Sequence, residues 1–225
     1  MGLDCSFLVV TPVRRVDALL EAIAAHLVPD DQARLRAALP WSPAVDRVSE
    51  WLGDPPARDR RGIAKLPREA GERGEDYCFT FLIPRDEVLT AYEQSGSPVS
   101  AEGGLVAVGC VWCDLRAGDE WAVFRATAAT SDMSRLFERS PSVRALWSQV
   151  ASKAQATALL FDTEDLEGWE LLHPGSGRVT RPDEEPYELE DRLHLNIDGY
   201  FAEALQEAGV QPSHTLLTGP PGGSR

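Results

Sequence analysis

Two β-rich runs, Leu105–Cys113 and Trp121–Ala128, are separated only by Asp114–Glu120, a mostly polar stretch that contains Gly118. β-Branched and aromatic residues at this density favour strands, and so short a connection reads as a hairpin. A chain whose strongest strand pair is hairpin-linked is expected to build an antiparallel sheet. That makes α+β the predicted class over a parallel α/β fold.

The remaining elements follow from spacing and punctuation. Leu3–Val10 predicts a first strand, ended by Thr11-Pro12. Val16, Leu19, Leu20, Ile23 and Leu27 recur at helical spacing, predicting an amphipathic helix that stops before Pro29. Asp30 is placed to cap a short helix through Leu39, and Ser42-Pro43 opens another through Val45, Val48 and Leu52. Tyr77–Ile83 predicts a strand closed by Pro84, and Asp86–Gln94 a helix with Val88, Leu89 and Tyr92 inward. Ser131 caps a helix around Leu136 and Phe137. Ser140-Pro141 starts the next, with Val143, Leu146, Trp147 and Val150 on one stripe. Ala158–Phe161 predicts a strand, with Trp169–Leu172 as its partner and Leu193–Leu195 as a further candidate. Asn196 caps a last helix, striped by Ile197, Tyr200, Phe201, Ala204, Leu205 and Ala208 and closed by Gly209. The expectation is a mainly antiparallel sheet flanked by amphipathic helices, in a single domain over residues 1–217. The Gly/Pro-rich end, 218–225, is expected to be a disordered tail.

Residues 53–74 differ in character. They hold Pro55, Pro56 and Pro67 together with Arg58, Arg60, Arg61, Lys65, Arg68 and Arg73. A loop of that length inside a compact domain is usually functional or a subdomain boundary. It lacks interleaved aromatics, so it does not read as a nucleic-acid patch. It is better suited to pairing with acidic residues, within the chain or across a homodimer.

The acidity is local. The formal charge is −14, yet residues 161–210 carry 3 basic and 14 acidic side chains, net −11. A field of that size repels nucleic acid and anionic membrane and would steer a basic partner. No apolar run approaches the ~20 residues that span a bilayer. No basic n-region precedes the first apolar stretch. The expected address is cytoplasmic. Twenty arginines against two lysines, with abundant alanine, point to a GC-rich bacterial gene.

Chemistry-bearing motifs are few. Cys110-Val-Trp-Cys113 has redox and zinc spacing, but no helix start follows it to lower a thiol pKa, and a regular strand points the two cysteines to opposite faces. On that reading Cys110 shares a face with Val108 and Trp112, and Cys113 with Val111. Cys5 and Cys78 complete the set of cysteines, all expected as buried structural thiols. His26, His173, His194 and His214 have no local catalytic signature, and no phosphate-binding glycine loop or nucleophile elbow is present. No catalytic residue, metal or cofactor is therefore assigned.

The six tryptophans are Trp41, Trp51, Trp112, Trp121, Trp147 and Trp169. Core packing accounts for most of them, whereas Trp41, beside prolines, and Trp169, beside carboxylates, are expected to be partly exposed. Asp162, Glu164, Asp165, Glu167, Glu184 and Glu185, with Trp169 as aromatic anchor, then form the expected partner-binding surface. An acidic, Trp-containing α+β chain without catalytic motifs looks like bacterial immunity or inhibitor proteins that neutralise a basic partner, a likeness of composition. The alternative is a small hydrolase-like enzyme with a cysteine or carboxylate beneath the 53–74 loop. It would require His173 or His194 to meet Cys78, Cys110 or a carboxylate in a pocket.

Overall fold

A computed structural model describes residues 5–37, 39, 77–94, 103–117, 120–163, 168–180, 205–206 and 209–210. The strands are β1 (Ser6–Pro12), β2 (Tyr77–Pro84), β3 (Leu105–Ala117), β4 (Trp121–Ala128), β5 (Ala158–Asp162), β6 (Gly168–His173) and β7 (Gly177–Thr180). The helices are α1 (Val16–Ala24), α2 (Pro29–Ala37), α3 (Glu87–Gln94), α4 (Ser131–Arg139) and α5 (Pro141–Ala154). All seven strands join one sheet in the order β2-β3-β4-β1-β5-β6-β7, and every neighbouring pair is antiparallel. The predicted α+β class with an antiparallel sheet is the observed one. The 53–74 loop, the 42–53 helix, the 193–195 strand, the start of the last helix and the 218–225 tail lie outside the described residues.

β1 is the sheet's central strand, and all seven of its residues are buried. Its side chains alternate between two different apolar layers. Phe7 and Val9 face the helices, joining Leu19 and Ile23 of α1, Leu35 of α2, Leu89 of α3, Leu136 of α4 and Trp147 of α5. Leu8 and Val10 face the other way, joining Trp121, Val123, Leu160, Trp169, Leu171 and Val179, with Leu205 and Val210 packed on them. All five described helices thus cover one face, while part of the 205–210 region covers the other.

Local chemistry places the helices as the spacing predicts. Ser140 caps α5 by accepting from the Val143 N–H, with Pro141 at the first helical position. The cap of α4 is Thr130 rather than Ser131. Its Oγ1 accepts from Met133 N–H while its backbone stays extended, which a residue inside the first turn cannot do. The β3–β4 connection is shorter than expected, because β3 continues to Ala117 and pairs with β4 as far as Ala122. The four-residue strand β7 has no counterpart in the sequence prediction.

The β2 edge is sealed by the chain that leaves α1. Val28 N–H donates to Thr80 O at 3.0 Å, Leu82 N–H to His26 O at 2.7 Å, and Thr80 N–H to Asp31 Oδ2 at 2.7 Å. Arg34 holds the same carboxylate at 2.9 Å and lies over the Phe79 ring. Edge N–H and C=O groups are thereby consumed within the chain, removing a template for strand addition.

At the other end of the sheet, Gly168 starts β6 with φ +155°, and a Cβ there would lie 2.3 Å from Val179 O of β7. Both the backbone angle and the space demand glycine. Gly168→Ala is expected to cost about 1–3 kcal/mol and to loosen β7 selectively. Hydrogen exchange at residues 168–180 checks it: faster exchange there, with β1 and β4 unchanged, is the expected pattern. Uniform protection across the sheet would count against it.

Candidate functional site

The face of the sheet away from the helices has two halves. Around Leu8, Val10, Trp121, Val123, Leu160 and Trp169 it is apolar and closed. Around Cys78, Trp112, Asp114, Arg125 and Thr127 it is more polar and, among the described residues, only partly covered. In an antiparallel sheet, directly opposed residues share a face with Cβ atoms roughly 4.5–5.5 Å apart. The register therefore lines up Cys78, Trp112, Thr127, Ser6 and Asp162 across five strands. The neighbouring row holds Asp114, Arg125, Leu8 and Leu160.

Hydrogen bonds order these rows. Ser6 Oγ and Thr127 Oγ1 are 3.0 Å apart, and Arg125 Nε donates to Ser6 Oγ at 3.2 Å. Burial falls off from β5 towards β2. Ser6 and Asp162 are buried, Thr127, Arg125, Asp114 and Cys78 are half-buried, and Trp112 is 39% exposed. Trp112 is the one exposed large hydrophobic side chain among the described residues.

A β-bulge explains how Trp112 comes to face outward. Phe79 pairs with Val111 but Phe81 with Val108, so β3 carries one extra residue opposite Thr80. One extra residue reverses which side chains face the core. Val106 and Val108 point to the helices before the bulge, and Val111, Cys113 and Leu115 do so after it. The expectation that Cys110 shares a face with both Val108 and Trp112 is corrected, because those two lie on opposite faces. Cys113 does share a face with Val111, as expected. Burial, followed by the charge of Asp114, pushes its thiol pKa well above the usual value, so it is held as an inert thiol. The Cys110 side chain lies outside the described part.

The residues expected to bind a partner divide sharply. Asp162 closes β5 and is buried. Trp169 is not partly exposed: it is 1% exposed, in the middle of the apolar layer beside Val179 and Leu171. Its neighbours in sequence are acidic, but strand alternation turns Trp169 inward and leaves Glu170 outward, where Arg144 holds it through two 3.0 Å bonds. Glu164, Asp165, Glu167, Glu184 and Glu185 lie outside the described residues. Trp112 was expected in the core. The signal that identifies it as outward is its parity with Asp114 and Arg116, against Val111, Cys113 and Leu115.

The strand order keeps Cys78 and His173 apart, while His194 lies outside the described residues. Cys78 is on β2 and His173 on β6, five strand spacings apart, which is about 24 Å at the usual ~4.8 Å per strand. His26, beside the β2 edge, has its pKa lowered by burial and then by the charge of Lys153. Its Nε2 is buried with no hydrogen-bond partner among the described residues. Burial thus disfavours the charged imidazolium at this position. Among the described residues, no group of three or more His, Cys, Asp or Glu could hold a metal. A cavity of about 220 Å³ lies between α3 and α4, lined by Val88, Ala91, Tyr92, Leu136, Asp132, Arg135 and Arg139. It contains no cysteine or histidine, and Arg135 is held by Asp132 at 2.9 Å.

No helix among the described residues is long and apolar enough to cross a membrane. No protein-family model, curated protein or solved structure matches the chain.

Proposed function

We propose that this chain is a non-enzymatic, acidic protein-binding module that acts in the bacterial cytoplasm and engages a basic protein partner, as an immunity or inhibitor protein does. The observation that carries the reading is the concentration of net −11 in residues 161–210, against −14 for the whole chain. A single-sign field on that scale accelerates encounter with an oppositely charged protein and disfavours nucleic acid and anionic lipid. The binding charges are assigned to Glu164, Asp165, Glu167, Glu184 and Glu185. Asp162 and Trp169, being buried, serve the sheet instead.

The test is affinity capture on the immobilised chain from its source organism, followed by salt titration with the purified retained protein. The expected partner is basic. Its association rate should fall steeply as salt rises from about 50 to about 500 mM, as the screening length shortens. Reversing the charge of Glu164 and Asp165 together should weaken binding by about tenfold, equivalent to ~1.4 kcal/mol. Binding insensitive to both salt and charge reversal would overturn the proposal.

A further inference from the structure

We infer that His26 is an acid-sensitive latch on the β2 edge of the sheet: with a neutral imidazole it keeps the 26–31 connection seated on β2, and a second ring proton releases that connection and uncovers the edge. This goes beyond the binding reading and does not depend on it. The connection runs from the end of α1 into α2 and is tied to β2 at three points. Leu82 N–H donates to His26 O at 2.7 Å, Val28 N–H to Thr80 O at 3.0 Å, and Thr80 N–H to Asp31 Oδ2 at 2.7 Å. Between them a bridge pairs Leu27 with Phe81. These edge groups are the ones a further strand would pair with once the connection lifts.

The ring is poorly placed to take that proton. It is half-buried, and its Nε2 is shut off from solvent with no hydrogen-bond partner among the described residues. Both ring nitrogens of an imidazolium are donors, so protonation leaves a charged N–H at Nε2 with nothing to accept from it, which costs more than an unpaired neutral nitrogen. The surrounding charges give no relief. Lys153 of α5 adds a like charge. Glu21 of α1 is bound to Arg36 of α2 at 3.1 Å, and Asp31 of α2 is bound to Arg34 and to Thr80 N–H. Asp30 is exposed at the start of α2, and β2 carries no charged side chain. A helix C-terminus would favour a cation, but at the end of α1 Ala24 O already accepts from Gln32 Nε2 at 2.8 Å and Ile23 O from His26 N–H at 2.9 Å. To hydrate Nε2 the ring must swing outward, and the same residue carries the carbonyl that holds Leu82. The pKa of His26 lies below its ordinary 6.5 through burial and then Lys153. The closed connection is therefore fully stable above 6.5, and loses that stability as pH falls past 6.5 to the folded value.

The test is amide hydrogen exchange on the full chain, read by NMR from about pH 8 to about pH 5, the window in which histidine titrates, and corrected for the intrinsic pH dependence of exchange. Protection at Val28, Thr80 and Leu82 should fall several-fold as pH drops, while amides of β1 and β4 keep theirs. His26→Gln, which cannot take the charge, should abolish the fall, and His26→Lys should lack the protection at both ends of the range. Protection at those three amides that does not change with pH overturns the latch. A fall that persists in His26→Gln assigns the response to another group and overturns it as well. Should either variant fail to fold, the imidazole resonances of the unmodified chain decide. The titration midpoint of His26 must coincide with the midpoint of the protection loss, and a ring that titrates while the three amides stay protected overturns the proposal. None of these outcomes bears on the acidic-module reading, whose test is salt-dependent binding.

Discussion

Replacing Trp147 by alanine is expected to destabilise the fold by about 3–5 kcal/mol, the range for deleting a large buried aromatic. Trp147 projects from α5 with 2% of its surface exposed. Its ring stacks on Phe7 of β1 at 5.6 Å and meets Phe81 of β2 at 5.4 Å and Phe124 of β4 at 6.1 Å. One side chain therefore ties a helix to three strands, including the central one and an edge one. Removing it forfeits the apolar transfer term. It also opens a cavity that Phe7, itself packed against Phe137 and Phe161, cannot collapse to fill. Urea unfolding at neutral pH measures the loss. A cost below about 1 kcal/mol would show that the cluster repacks freely. The more exposed Trp112 supplies the contrast, because its replacement by alanine should cost clearly less than that of Trp147.

The second large effect is expected at Asp86, whose carboxylate joins two helix N-termini. Oδ1 accepts from Leu89 N–H at 2.8 Å, capping α3, while Oδ2 accepts from Ser140 Oγ at 2.6 Å and Ser142 N–H at 3.0 Å, at the start of α5. Ser140 is itself the cap of α5, so its hydroxyl donates to Asp86 as it accepts from Val143. Asp86→Ala removes one cap and leaves Ser140, which is fully buried, without an acceptor. The expected cost is about 2–4 kcal/mol, combining a cap with hydrogen bonds to a charged group.

The same contacts give Asp86 a pH signature. Burial alone would raise its pKa, but the Leu89, Ser140 and Ser142 hydrogen bonds outweigh it and hold the carboxyl below its ordinary 3.8. A carboxyl whose pKa is lower folded than unfolded stabilises the fold fully above the unfolded value. That contribution is lost as pH falls through the folded value. The stability gap between the unmodified chain and Asp86→Asn should therefore be constant near neutrality and shrink below about pH 4. A gap that stays level down to about pH 2 in urea titrations would contradict this account.

The sequence by itself determined much of the local structure, and the reason is local. Helical spacing from Val16 to Ile23 is a property of adjacent turns, and it marks the buried stripe of α1. Ser140-Pro141 supplies a cap and a preset φ within two residues, and a helix starts there. The close spacing of Leu105–Cys113 and Trp121–Ala128 leaves room only for a hairpin, and the antiparallel sheet follows.

Only the tertiary structure decided what each element is packed against. Leu3–Val10 reads as a strand, but its place between β4 and β5, buried on both faces, depends on partners more than a hundred residues away. Asp86 reads as the start of one helix and turns out to hold two, because Ser140 is brought to it across 54 residues of chain. The tryptophans show the same limit most clearly. Trp169 sits among acidic neighbours and is buried, and Trp112 sits among apolar ones and is exposed. Sequence neighbours say little about either, because in a strand alternate side chains meet different layers, and one extra residue at a bulge reverses which layer is which.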